Sequence, residues 1–424
     1  MAVHMSTIVS RKTVDILSHL SQLRPTLASH PLLYTISVSQ HTDSTDLSQL
    51  VASLKSLSGS SIGCLSAPIP SARPSWQQYT AVSVASFDAK YATTFRSTIA
   101  GRKAAQVGRW HAMHQKEKQQ DTQDYSQDID WESALSRSYE SDAVLPELRD
   151  LSDKDTDSIL YLSDNAPEGL NSVLSRFSSA SKLGLIATST PFVTGRPYTL
   201  FYNDSIHSDG AVGICLSSGP CSSAWSEYPG LEAITRPMIV TNAEGNLVNA
   251  LDNANPSRLL LHAIQNHPAV AASAEHISKD LQLYLGTLKQ VGVSHQLDQL
   301  FYIMSGDPSR GSIALDTDTA PPEGSMVQFF LLPPTTKPDV LNEVLNQGTP
   351  QRSLAFASTS LDDLNAALPD VPDAEGPAGT MILHDTFVAA SENGCIVSRA
   401  TGGKSERPWK CSLPGSLMGL RWGV

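Results

Sequence analysis

The apolar residues of this chain come in short bursts that turn-forming residues cut off. Residues 327–332 (Val-Gln-Phe-Phe-Leu-Leu) run straight into Pro333 and Pro334, and residues 62–65 (Ile-Gly-Cys-Leu) are followed by Pro68 and Pro70. A membrane helix needs roughly 18 or more consecutive apolar residues, and a coiled coil needs an unbroken heptad pattern; neither survives such punctuation. Short bursts bounded by Gly, Pro, Asn and Asp are strand signals. The 424 residues leave room for two or three domains at roughly 150 residues each. The expected fold is therefore α/β (α+β), with two β-rich lobes and helices packed on mixed sheets.

Helical spacing fits between several bursts. Strand-like residues 32–38 precede a helix capped by Asp43 or Ser44, with Leu47, Leu50, Val51, Leu54 and Leu57 on its apolar face. Further strands are expected at 62–65, 79–87, 158–162, 184–187, 198–202 and 210–216, with Asn203-Asp204 as a hairpin turn and a helix over 167–178. A second half begins near Arg236. It opens with a hairpin over 238–251, then a helix started by Asn255 and Pro256 with more helix through Leu288. Strands follow near 300–304, 312–315, 326–332, 353–357 and 380–383.

The resulting organisation is a first helix or leader over 1–30, a domain over 31–235, a second over 236–400 and a polar tail over 401–424 carrying Trp409 and Trp422. In the first segment Val14, Leu17, Leu20, Leu23 and Leu27 give one apolar face, while Arg11, Lys12 and Arg24 against Asp15 give it the composition of a mitochondrial presequence. Residues 115–157, dominated by Gln, Asp, Ser and Glu, hold too little apolar surface to offset ordering and read as a disordered acidic insertion.

Charge and cysteine content narrow the function classes. Thirty basic against 42 acidic residues give a net charge of −12, which repels phosphate backbones; neither a nucleic acid nor a membrane is expected as a partner. The five cysteines (Cys64, Cys215, Cys221, Cys395, Cys411) are odd in number and show no CxxC spacing, as in a reducing compartment. The expected location is cytoplasmic, or mitochondrial if the first residues are a leader.

Motifs for chemistry fail on context. Gly59-Ser60-Ser61-Ile62-Gly63 matches a nucleophile elbow, but a helix precedes the serine and a strand follows, the reverse of what the elbow requires. Gly402-Gly403-Lys404-Ser405 resembles the end of a phosphate-binding loop, but Ser398 stands where its first glycine belongs and Pro408 breaks the helix. His111 and His114 lack a carboxylate or cysteine to complete a metal shell. Arg96, Arg102, Lys103 and Arg109, followed by Trp110, read as a solvated helix face, and Cys64 as a buried structural thiol. No cofactor is expected.

Three stretches together resemble the FIST domain, a paired N- and C-terminal module of bacterial signalling proteins and of some F-box proteins. They are Ser61-Ile62-Gly63-Cys64-Leu65-Ser66-Ala67; the run from Leu183-Gly184 through Tyr202-Asn203-Asp204 to Gly213-Ile214; and Arg236-Pro237-Met238-Ile239-Val240-Thr241-Asn242-Ala243-Glu244-Gly245-Asn246 with Asn249-Ala250-Leu251-Asp252-Asn253. The C-terminal half is shorter than the family's: Ser358-Thr359-Ser360 stands at its Cys-Gly-Arg turn. The resemblance implies a non-catalytic sensory module that binds a small, amino-acid-like ligand and signals to a protein partner.

A zwitterion needs amides and hydroxyls at strand-end turns. The candidates are Gly63, Cys64 and Ser66; Thr188 and Ser189; and Thr241, Asn242 and Asn246. The same residue types also serve tight turns. Two other functions stay open. One is a scaffold recruiting substrates for ubiquitin-dependent degradation, docking through the acidic insertion or the tail. The other is an enzyme using Cys64 or a histidine pair.

Overall fold

The computed structural model describes residues 2–39, 42–71, 79–99, 145–217, 222–267, 281–292, 294–306, 311–333, 336, 338–346, 351–360, 379–401 and 403–422. His111, His114, Arg102, Lys103, Arg109, Cys221 and residues 115–144 of the expected insertion lie outside them.

The chain opens with β1 (Ala2–Ser10), α1 (Thr13–Leu27), β2 (Leu32–Ser37), α2 (Ser44–Lys55), β3 (Ser61–Ser66), β4 (Thr80–Phe87) and β5 (Ala92–Ser97). It continues with β6 (Thr156–Ser163), α3 (Glu168–Leu174), β7 (Ser181–Ile186), α4 (Pro191–Thr194), β8 (Leu200–Tyr202), β9 (Ser205–His207), β10 (Ala211–Ser217) and β11 (Ser222–Glu227). Next come β12 (Glu232–Ala233), β13 (Met238–Glu244), β14 (Leu247–Leu251), α5 (Pro256–Gln265), β15 (Gln282–Val291), β16 (Ser294–Gly306), β17 (Ile313–Leu315) and β18 (Met326–Leu332). The last stretch holds α6 (Val340–Asn346), β19 (Arg352–Ser358), β20 (Met381–His384), β21 (Thr386–Ser391), β22 (Cys395–Ser398), β23 (Ala400–Thr401), β24 (Lys404–Ser405), β25 (Trp409–Cys411) and β26 (Leu417–Trp422). The fold is α+β and rich in mixed sheet, as expected.

Local chemistry explains the helices. The Asp43 carboxylate accepts from the Thr45 and Asp46 N–H groups (2.7 and 3.1 Å), and Leu47, Leu50 and Leu54 bury α2 against the first sheet. At α5, Asn255 Oδ1 accepts from the Arg258 N–H (3.0 Å) and Pro256 takes the first position, where no N–H is needed.

One arrangement recurs three times. Two strands run parallel, and a third lies antiparallel to the first of them: β2 and β3 with β4, β6 and β7 with β10, β19 and β21 with β26. Parallel pairs must be covered on both faces; β2, β3, β7, β19 and β21 are accordingly almost continuously buried. The triples are extended into three sheets, ordered β20-β1-β4-β2-β3-β8-β9, β25-β22-β7-β6-β10-β5 and β11-β26-β19-β21. Strands from residues 352–422 thus lie in sheets with strands from residues 2–227.

The fourth sheet is a small barrel. β18-β13-β14-β17-β16-β15 pair in that order, β15 closes back on β18, and β12 adds to β18 outside the ring. All its pairings are antiparallel, and Val240, Val248, Leu251, Leu285, Ile313, Val327 and Phe329 are fully buried in it.

Several expectations need correction. Residues 1–30 hold a strand, β1, as well as a helix. Ser6 and Thr7 make β1 look polar, yet both are fully buried. Thr7 Oγ1 donates to the Thr386 carbonyl and accepts from the Val388 N–H (both 3.0 Å), so hydroxyls tie β21 to β1 where no ladder exists. The buried face of α1 is Ile16, Leu20 and Leu27, while Val14 is 72 % exposed. Residues 282–288 are strand, not helix, because β15 pairs on both sides. Residues 145–157 are ordered in part: Leu145 and Leu148 are buried beside Phe95 and Phe177. The tail is not loose, since β25 and β26 are buried and carry Trp409 and Trp422 into the core.

Candidate functional site

The three parallel pairs end together. In register, Ser37 faces Ser66, Ser163 faces Ile186 and Ser358 faces Ser391. The ladder then passes between triples: the Thr188 N–H donates to the Leu65 carbonyl (3.3 Å) and the Ala67 N–H to the Ala390 carbonyl (2.8 Å). At this junction the Glu392 carboxylate accepts from the Thr188 hydroxyl, from the Ser189 N–H (2.8 Å) and from Asn393 Nδ2 (3.0 Å), while Asn393 Nδ2 also reaches the Ala187 carbonyl (2.9 Å). Carboxyl ends of strands are where α/β sheets bind ligands. Here, however, these polar groups satisfy one another.

The open space lies elsewhere, in a cleft between the barrel and β25 of the second sheet. It has two lobes that share Thr317, Asp318, Pro408 and Trp409. The larger, about 850 Å³, is walled by Phe301, Ala320, Pro321 and Pro322 and carries Arg407 and Glu323. The smaller, about 300 Å³, reaches toward the start of α3 and carries Glu168, Asn171, Asn246, Asp316 and Lys410.

Trp409 is placed with care. Its ring is 3 % exposed and packs against Phe301 with centroids 6.2 Å apart. Its Nε1 donates to Glu406 Oε1 (3.0 Å). Glu406 in turn takes a two-pronged contact from Arg399 (2.7 and 2.9 Å), and Arg399 reaches Asp298 (3.0 Å). Burial works to lower the Arg399 pKa, and the Glu406 hydrogen bonds with the Glu406 and Asp298 charges outweigh it and raise it. Gln299 Nε2 completes the set on Glu406 Oε2 (3.1 Å).

The eight residues proposed from sequence fall in three places. Ser66, Thr188 and Ser189 gather at the strand-end junction. Gly63 and Cys64 lie within β3. A side chain at Gly63 would meet the Tyr34 ring and carbonyl at 2.7 Å, and Cys64 is fully buried, with burial pushing its thiol pKa up. Thr241, Asn242 and Asn246 lie on the β13–β14 hairpin, and of the three only Asn246 reaches the cleft. Thr241 Oγ1 accepts from the Asn253 N–H (3.0 Å), Asn242 Oδ1 accepts from Asn249 (3.0 Å), and Asn246 lines the smaller lobe. The sequence reading missed Trp409, Arg407, Phe301 and Glu168. The available signal was the pair Pro321-Pro322, which lines the larger lobe between β17 and β18.

Burial holds the other described thiols protonated as well, pushing Cys215 up to about 12 and Cys411 up to about 11. Among the described residues no three His, Cys, Asp or Glu side chains are grouped to hold a metal ion, and no helix is long and apolar enough to cross a membrane.

The chain is thus a sheet-rich α+β protein with a cleft between its barrel and a flanking sheet. The FIST N domain matches residues 33–254, more than half of the chain, and the chain belongs to the FIST family. This family is a sensory domain that binds small ligands. The match ends inside the barrel, just before α5. No match to the chain is found among curated proteins.

Proposed function

We propose that this protein is a non-catalytic sensor whose small, amino-acid-like ligand sits in the Trp409 cleft. One observation carries the reading: the larger lobe joins an apolar wall of Phe301, Trp409 and prolines to charges of both signs, Arg407 against Asp318 and Glu323. That pairing suits a zwitterion, whose carboxylate and ammonium need opposite partners while its side chain needs an apolar wall. The strand-end junction is the weaker candidate, because its donors are already taken by Glu392.

The test is a thermal-shift screen of small metabolites at millimolar concentration. A ligand at ~100 times its Kd stabilises by about 2.7 kcal/mol, a shift of several degrees. Hits should vanish in Ala243→Phe, which fills the rim of the larger lobe at a half-buried hairpin position. A screen without hits, or hits indifferent to that substitution, would remove the reading.

Contact with a protein partner is favoured by one surface feature. Phe192 is 98 % exposed at the tip of a loop held rigid by Thr190, Thr194 and Thr199 hydroxyls (2.8 Å each to Thr199). A partner using this tip should lose affinity on Phe192→Ser with ligand binding intact; unchanged affinity would exclude the tip.

A further inference from the structure

We infer that the ligand of the Trp409 cleft is a basic one, an amino acid or amine whose cationic end enters the smaller lobe. This rests on the cleft being the ligand site and goes beyond it by fixing the ligand's charge. Three observations converge. The smaller lobe is lined by three carboxylates, Glu168, Asp316 and Asp318, against the single ammonium of Lys410. Lys410 is engaged with Asp316 at 3.2 Å, so it does not neutralise the far wall. Glu168, half-buried on the wall of this lobe, has a carboxylate oxygen, Oε2, with no hydrogen-bond partner, a costly arrangement unless a donor arrives.

The shape agrees with the charge. The lobe of about 300 Å³ is roomy enough for an alkylammonium or guanidinium arm. The lobes share Thr317, Asp318, Pro408 and Trp409, so a chain passing these residues places its two ends in different lobes. Its α-carboxylate and α-ammonium then face Arg407 and Glu323 in the larger lobe, and its terminal cation faces Glu168 and Asp318. Neutral and acidic amino acids of the same length leave Glu168 uncompensated.

The experiment is isothermal titration of the full chain with four probes: L-lysine, 1,5-diaminopentane, L-norleucine and glutarate. The expected result is that L-lysine binds at least about tenfold tighter than L-norleucine, that the diamine binds measurably, and that glutarate does not. Glu168→Gln should weaken L-lysine at least about tenfold and leave L-norleucine unchanged. Asn165→Lys, at an exposed position on the lobe's rim, should do the same without touching a buried group. Norleucine or glutarate binding as well as lysine, or lysine binding unmoved by both substitutions, would overturn the inference while leaving the cleft as the ligand site. Failure of every probe in this panel, together with an empty metabolite screen, would overturn both.

Discussion

Glu392 has three donors around its carboxylate: the Thr188 hydroxyl, the Ser189 N–H and Asn393 Nδ2. It therefore holds the second triple to the third, and its loss strands donors that are partly buried. Glu392→Ala should cost about 1–3 kcal/mol in urea unfolding, whereas Thr241→Ala, which frees one exposed amide, should stay within about 0.5 kcal/mol. Equal costs would mean that the junction is no stronger than a hairpin turn. Lys182 makes a second residue-scale case. Its ammonium is buried and donates to the Phe177 and Ala180 carbonyls and to Ser405 Oγ (2.7, 3.1 and 3.0 Å). Burial pushes its pKa down from 10.5 to about 8, with the Asp153 charge opposing. The folded-state pKa lies below the unfolded one, so between about pH 8 and 10.5 the unfolded chain holds more protons, and this group's contribution to stability rises with pH across that window. The Tm of the native chain relative to Lys182→Met should accordingly climb from about pH 8 to 10; a flat difference would contradict it.

At the scale of elements, the parallel pairs were readable where both strands are apolar and a capped helix joins them, as in β2, α2 and β3. Elements whose polar residues bond to backbone were not. β1 hides behind Ser6 and Thr7: the Thr7 hydroxyl satisfies β21 rather than water, and the Ser6 hydroxyl pairs with His4 Nε2 at 2.9 Å. β25 is only three residues long and depends on β22 for its pairing, so no local signal marks Trp409 as a wall of the cleft. β15, expected as helix through Leu288, is strand because it pairs with β16 on one side and with the distant β18 on the other, and strand preference follows such neighbours more than intrinsic backbone bias. The Gly-Cys strand was legible as an element but not in its role. Gly63 stands where the Tyr34 ring, stacked on Phe201 at 5.6 Å, lies across the strand. Gly63→Ala should destabilise by about 1–3 kcal/mol through overpacking, with ligand affinity unchanged; a loss of affinity at unchanged stability would return Gly63 to the binding site.

At the scale of the whole molecule, the barrel meets the second sheet where β16 packs on β25, and the cleft opens at that seam. Its walls come from segments far apart in sequence, α3, the 244–247 turn, the loop after β17, and β25, which is why only Asn246 of the residues proposed from sequence reaches it. The Arg399–Glu406–Trp409 network fixes the shared wall before any ligand arrives, so Glu406→Gln should loosen Trp409 and weaken binding more than it lowers Tm. Hydrogen exchange followed by mass spectrometry, with and without a saturating ligand from the metabolite screen, bears most directly on where the ligand sits. Added protection is expected in residues 315–320 and 406–411, flanking Trp409. Protection confined to 186–190 and 391–394, at the strand-end junction, would place the ligand at Glu392 and contradict the cleft.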